Sequence, residues 1–161
     1  IRYQVNPKQA VAIDMLTGLA KHRTLMPSLV TQETFIAQAY TLFGKSLDDS
    51  EATTQPMVGA TLISESIGFV AQRVVAMVIN LGCDIAVQGI ATPEDIDNAV
   101  KLGLGYPYGP ISWGDHLGAS RVLLMLERIY GLTGDPRYRP SPWLQRRAKL
   151  DVSLFTQQTK Y

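Results

Sequence analysis

Cysteine is nearly absent: Cys83 is the only one in 161 residues. That excludes an internal disulfide, a cysteine-based zinc site and a CxxC redox pair, and it fits a reducing, cytoplasmic compartment. Histidine is almost as scarce. His22 and His116 have no carboxylate at helical spacing, and a catalytic base needs an orienting partner. Asp115 is adjacent to His116 and so points elsewhere. No metal site is expected. Charge is thin at 18%, and 15 basic against 14 acidic residues leave a net charge of +1. A dedicated nucleic-acid binder would carry a much larger basic excess, so no nucleic-acid partner is expected. No charge-free run approaches the ~20 apolar residues of a spanning helix, so no membrane segment is expected either. GxSxG, HExxH, Walker and calcium-loop patterns are all missing. An initiator Met and a signal pattern are lacking too, so the chain reads as a piece of something longer.

The hydrophobic share, by contrast, is 46%, which excludes a disordered chain. Residues 1–65 mix short apolar runs with Thr, Pro and Gly, giving strand candidates at 10–16 (AVAIDML) and 57–64 (MVGATLIS). The second strand is expected to return beside the first. Between them a helix is expected with Thr31 as its cap, Thr34 at its third position, Phe35, Ile36, Ala39, Leu42 and Phe43 on one face, and Gly44 at its end.

From Ser66 the periodicity becomes helical. Residues 67–90 are apolar on nearly all sides, with Gln72, Asn80, Asp84 and Gln88 on one narrow polar stripe and Gly89 as the stop. That pattern predicts the central helix of its domain, over residues 67–88. Thr92, Pro93, Glu94 and Asp95 then announce a helix start, and Gly103 its end. Residues 103–113 (GLGYPYGPISW), with three Gly and two Pro, predict a tight irregular loop. A third long helix is predicted over 119–130, closed by Gly131 and Gly134. Residues 135–140 form a turn, Ser141 and Pro142 cap a basic helix, and a polar tail follows from Asp151.

Few of these residues point to chemistry. Gly103, Gly105 and Gly109 have GxGxxxG spacing, follow a helix and are broken by proline, whereas a dinucleotide cradle needs strand, glycine turn and helix in that order. Gln72 and Arg73 open the most apolar helix, where an unpartnered amide would cost about 1–3 kcal/mol. Periodicity leaves a structural hydrogen bond and a ligand-facing amide equally open. Arg137, Arg139, Arg146, Arg147 and Lys149 form a basic cluster, either a solvated face or a surface for an anionic group. Cys83 reads as a small buried apolar residue.

The stretch SIGFVAQRVVAMVINLGCDIAVQGIATPEDIDNAVKLGLGYPYGPISWGDHLG, with GDPRYRPSPWL after it, resembles the C-terminal helical domain of the 3-hydroxyacyl-CoA dehydrogenases. The features that carry the resemblance are the Gly-Phe with an amide-Arg pair, an Asn in the same helix, the PEDID cap, GYPxGP and PSPxL. It is nearest to the second copy of that domain in the long bacterial 3-hydroxybutyryl-CoA and 3-hydroxyadipyl-CoA enzymes. The resemblance implies a mainly α fold like the C-terminal domain of 6-phosphogluconate dehydrogenase. It also implies a division into residues 1–65, a remnant of a nucleotide-binding α/β domain, and 66–161, the helical domain.

The family oxidises 3-hydroxyacyl-CoA to 3-ketoacyl-CoA with NAD, in fatty acid metabolism, β-oxidation and phenylacetate degradation. The resemblance therefore implies an acyl-CoA substrate for the parent enzyme, NAD held by a domain outside this chain, and a homodimer paired through the helical domains. The family's substrate-side Asn is matched here by Gln72, one methylene longer, so no catalytic residue is intact. Gln72, Tyr108 and Pro110 are the substrate-contact candidates. The implied role is dimerisation and completion of the acyl-CoA cleft; a ligand-free dimerisation module is the alternative.

Overall fold

The computed structural model describes residues 5–14, 23–43 and 60–157. These fall into two units, divided between Phe69 and Val70.

In the first unit, β1 (Val11–Ile13), β2 (Arg23–Pro27) and β3 (Ala60–Leu62) form a sheet in the order β1-β2-β3, with β1 antiparallel and β3 parallel to β2. The two strands expected from the sequence are therefore not neighbours. The segment RTLMP, which no alternation marks as a strand, lies between them, and its Leu25 is fully buried. Helix α1 (Glu33–Phe43) starts two residues past Thr31. Thr31 does not cap it: its hydroxyl donates to the Ala10 carbonyl at 2.7 Å and accepts from the Ser28 amide at 2.8 Å, fixing the turn after β2 instead. The proposed stop at Gly44 and the first residues of the second strand candidate lie outside the described residues, as does His22.

The second unit is built on α2 (Val70–Val87), against which α3 (Pro93–Leu104), α4 (Pro110–Leu117), α5 (Ala119–Thr133) and α6 (Pro142–Leu150) pack. Among the described residues, helices dominate and the sheet is small, so the chain is mainly α. The core joins Ile79 and Cys83 of α2 with Ile111, Val122, Leu126, Leu144 and Leu154, all fully buried. α2 begins at Val70 rather than Ile67 because Gly68 has φ +76°, outside the helical basin. It is long and apolar enough to cross a bilayer by length and composition, contrary to the expectation from charge-free runs. Yet six of its residues are buried by neighbouring helices, as in a core helix.

Three sequence expectations need correction here. Gly105, at φ +68°, closes α3, while Gly103 stays inside the helix, where nothing crowds its backbone. The predicted loop 103–113 is irregular only as far as Gly109, because Pro110 opens α4. Proline suits a first helical position, whose amide has no intrahelical partner. Gly131 lies within α5, and Gly134, at φ +64°, ends it alone.

Candidate functional site

The motif GYPYGP forms the corner between α3 and α4, and a buried carboxylate holds that corner together. Asp97, 4% exposed on α3, accepts hydrogen bonds from the Ile111 amide at 2.7 Å, the Ser112 amide at 2.9 Å and the Ser112 hydroxyl. These amides belong to the first turn of α4, where unpaired N–H groups and the helix dipole both favour an anion. Gly109, the cap residue, has no side-chain cap of its own, so Asp97 supplies one from another helix. A Cβ at Gly109 would overlap the Asp97 carboxyl group and Cα. A Cβ at Gly82 would come within 2.8 Å of the Pro110 ring. Two glycines, a proline and an aspartate thus interlock α2, α3 and α4.

The three substrate-contact candidates are distributed unevenly around this corner. Pro110 is fully buried, against Gly82. Tyr108 is half exposed, its ring lying parallel to that of His116 at 6.1 Å. Gln72 is partly buried near the start of α2. It lies ten residues before Gly82, about 15 Å along the helix at 1.5 Å per residue, so it is not gathered with the other two.

Several polar residues have structural duties. Asn80, placed on the polar stripe by periodicity, is buried: its Nδ2 donates to the Arg139 carbonyl at 2.9 Å and its Oδ1 accepts from the Ser141 amide at 2.8 Å. It thereby pins the start of α6 to α2. The basic cluster is not one solvated face. Arg137 pairs with Asp135 at 2.6 Å, while Arg147 is buried, donates to the Thr156 carbonyl and lies 3.2 Å over the Trp143 ring. Burial lowers the pKa of the Arg147 guanidinium. Burial also pushes the Cys83 thiol up to about 12, with Asp84 adding to the effect, so Cys83 is a neutral core group.

The polar tail carries an anchor that composition hides. Leu154 is fully buried against Gly114 and Ile79. Its amide donates to Asp115 at 2.7 Å and its carbonyl accepts from the Trp143 indole at 2.9 Å. A cleft beside it is lined by Asp115, the start of α5, Arg147 and Asp151. No group of His, Cys, Asp or Glu able to hold a metal occurs among the described residues.

The architecture is that of a helical domain packed on one central helix, in which buried polar side chains fasten α4 to α3, the start of α6 to α2, and the tail to α6. The family model for the 3-hydroxyacyl-CoA dehydrogenase C-terminal domain matches residues 68–155. The 3-hydroxyadipyl-CoA dehydrogenase of Escherichia coli (strain K12) is 44% identical over 89 residues, 55% of this chain and 19% of that protein. The 3-hydroxybutyryl-CoA dehydrogenase of Clostridioides difficile is 39% identical over 84 residues, 52% of this chain and 30% of that one. The structure of 3-hydroxybutyryl-CoA dehydrogenase from E. coli K12 aligns with a TM-score of 0.70 at 34% identity, covering 87% of this chain and 27% of the other. That of (S)-3-hydroxybutyryl-CoA dehydrogenase from Ralstonia eutropha aligns with a TM-score of 0.73 at 25% identity, covering 88% and 47%. The chain belongs to the 3-hydroxyacyl-CoA dehydrogenase family of oxidoreductases, and what it carries of that family is the C-terminal helical domain. The matched regions span less than a third of the length of these two curated relatives.

Proposed function

We propose that this chain is the C-terminal part of an NAD-dependent 3-hydroxyacyl-CoA dehydrogenase, in which it serves dimerisation and closes the acyl-CoA cleft rather than carrying out catalysis. The observation that carries this reading is the family match over residues 68–155, most of the helical unit. In this reading Gln72 stands where the resemblance places the family's substrate-side Asn. The first unit, residues 1–65 in this reading, is the remnant of a nucleotide-binding-type domain. Its described strand-to-helix junction does not fit NAD, because β2 runs into α1 through SLVTQ, with no glycine turn to let backbone amides approach a pyrophosphate. NAD therefore belongs to another domain of the parent enzyme. Its setting is cytoplasmic acyl-CoA oxidation of the β-oxidation or phenylacetate type.

The chain's own contribution to a substrate is a set of three side chains. Tyr108 and Pro110 offer apolar surface at the α3–α4 corner, and Gln72 offers an amide at the start of α2. Calorimetry of the isolated chain with acetoacetyl-CoA tests this. Binding that tightens in Gln72→Asn supports a residual substrate amide. Tight NAD binding would overturn the reading. A second reading, the ligand-free dimerisation module, is favoured by the exposed apolar side chains of α2 and α5, among them Val74, Leu81, Leu124 and Leu132. Absence of acyl-CoA binding from a chain that still dimerises would select it.

A further inference from the structure

The two tyrosines of GYPYGP are held in different ways on α4. Tyr106 packs against Trp113, with ring centroids 5.5 Å apart, and Trp113 is itself packed on the core. Tyr108 lies against His116, three residues further along the same face of α4, with 8° between the ring planes and 6.1 Å between centroids. Tyr108 is 51% exposed and His116 is exposed as well, so this outer pair stands on the surface. Asp115 beside it is committed to Ser153 and Leu154. Neither the imidazole nor the Tyr108 hydroxyl takes part in a hydrogen bond among the described residues, which leaves the tyrosine ring as the one partner His116 shows there. The backbone around Tyr108 is stiff. Pro107 and Pro110 fix their own φ, and a residue before proline is pushed into the extended region, where Gly109 sits at φ −77° and ψ 166°. What stays free at Tyr108 is the side chain, which without a neighbour samples its staggered rotamers.

We propose that His116 is a positioning residue for acyl-chain selection: its ring holds Tyr108 along α4, so that the tyrosine presents a preset apolar wall to the outer carbons of a long acyl chain. The inference rests on the substrate-contact reading of Tyr108 and names what that contact selects. A wall already in place favours binding, because the tyrosine then has no rotamer freedom left to lose when the ligand arrives. Chain length enters through distance. Gln72 lies about 15 Å along α2 from Gly82, against which Pro110 packs. An acetoacetyl group whose oxygen meets Gln72 is too short to span that distance, whereas a 3-oxotetradecanoyl chain is comparable with it. Long chains therefore feel the aromatic pair at the α3–α4 corner, and short ones do not.

The test is calorimetry of the whole chain with acetoacetyl-CoA, 3-oxotetradecanoyl-CoA below its micelle-forming concentration, and free CoA, with circular dichroism confirming the fold of each variant. His116→Ala should weaken binding of the long ligand about three- to tenfold and leave acetoacetyl-CoA and CoA unchanged. His116→Phe keeps a flat ring at the same place and should restore the long ligand. Tyr108→Ala should lose at least as much as His116→Ala. Adding His116→Ala to it should lose nothing further, a result that a histidine acting on its own or through the fold does not reproduce. Unchanged affinity for the long ligand in His116→Ala, equal losses for all three ligands, or additive losses in the double variant would overturn the inference while the substrate reading stands. A parent chain that binds no acyl-CoA overturns that reading and this inference together.

Discussion

Removing the Asp97 carboxylate tests whether the α3–α4 corner is held as described. In Asp97→Ala the amides of Ile111 and Ser112, and the Ser112 hydroxyl, lose an anionic acceptor in a buried setting. Hydrogen bonds to a charged group contribute about 1.5–3 kcal/mol each, and the hydroxyl can turn to another partner. The two amides alone therefore put the loss at about 3–6 kcal/mol, out of the ~5–15 kcal/mol of a typical domain. For a unit of this size each kcal/mol lowers the melting temperature by about 4–8 °C, so the drop should be at least about 12 °C. Asp97→Asn keeps one acceptor oxygen and should lose less, about 1–2 kcal/mol. Gly109→Ala should cost about 1–3 kcal/mol by overlap with Asp97. The double variant Asp97→Ala/Gly109→Ala should cost less than the sum, since losing the carboxylate frees part of the space the new methyl needs. Thermal and urea unfolding by circular dichroism measure all four. An Asp97→Ala midpoint within 2 °C of the parent's, or strict additivity in the double variant, would refute the interlock.

Leu154→Ala should destabilise the helical unit by about 2–5 kcal/mol by urea unfolding, as expected for a fully buried leucine, whereas an unpacked tail would show no change. Cys83 should resist thiol reagents at pH 8 in the folded chain and react at once in urea. Because its folded pKa is raised, its contribution to stability is complete below its ordinary pKa of about 9 and is lost as pH rises from there toward about 12, so the fall in stability over that range should be smaller in Cys83→Ala. Asp135 should titrate below its ordinary value because Arg137 hydrogen-bonds its carboxylate. Its stabilisation is present above that value and lost as acid is added, and an NMR titration of Arg137→Ala should move it back toward the ordinary value, with the backbone amide of residue 137 still holding it somewhat low.

The helical half was readable because each helix there has local punctuation: Thr92 and Pro93, Ser141 and Pro142, and glycines at the stops. What sequence reasoning missed depends on partners distant in the chain. Asp97 reads as an ordinary residue of an acidic helix start, and only the Gly109–Pro110 pair, a glycine where a cap side chain is usual, hints that a carboxylate arrives from elsewhere. Asn80 was legible as a polar residue on a helix, but its two partners are 59 and 61 residues away. Strand β2 was hidden because a five-residue strand with one buried side chain has no alternation to show. Leu154 stood in a polar tail, where a single apolar residue has no period. Of the candidate site, the motif positions were plain, while the separation of Gln72 from the α3–α4 corner follows from which residue of α2 meets Pro110.

The buried place of Leu154 also sets an order of events in synthesis. Asp115, which receives the Leu154 amide, is 39 residues upstream of it. At the usual pace of translation, those residues take about 2–8 s to add, far longer than a helix needs to form. Through that interval Ile79 and Gly114 are already made while the leucine that covers them is not. Apolar surface meant for the core then faces the cell's other chains. Exposure to chaperones and to aggregation is therefore decided by a leucine that arrives after every helix of the domain has been made.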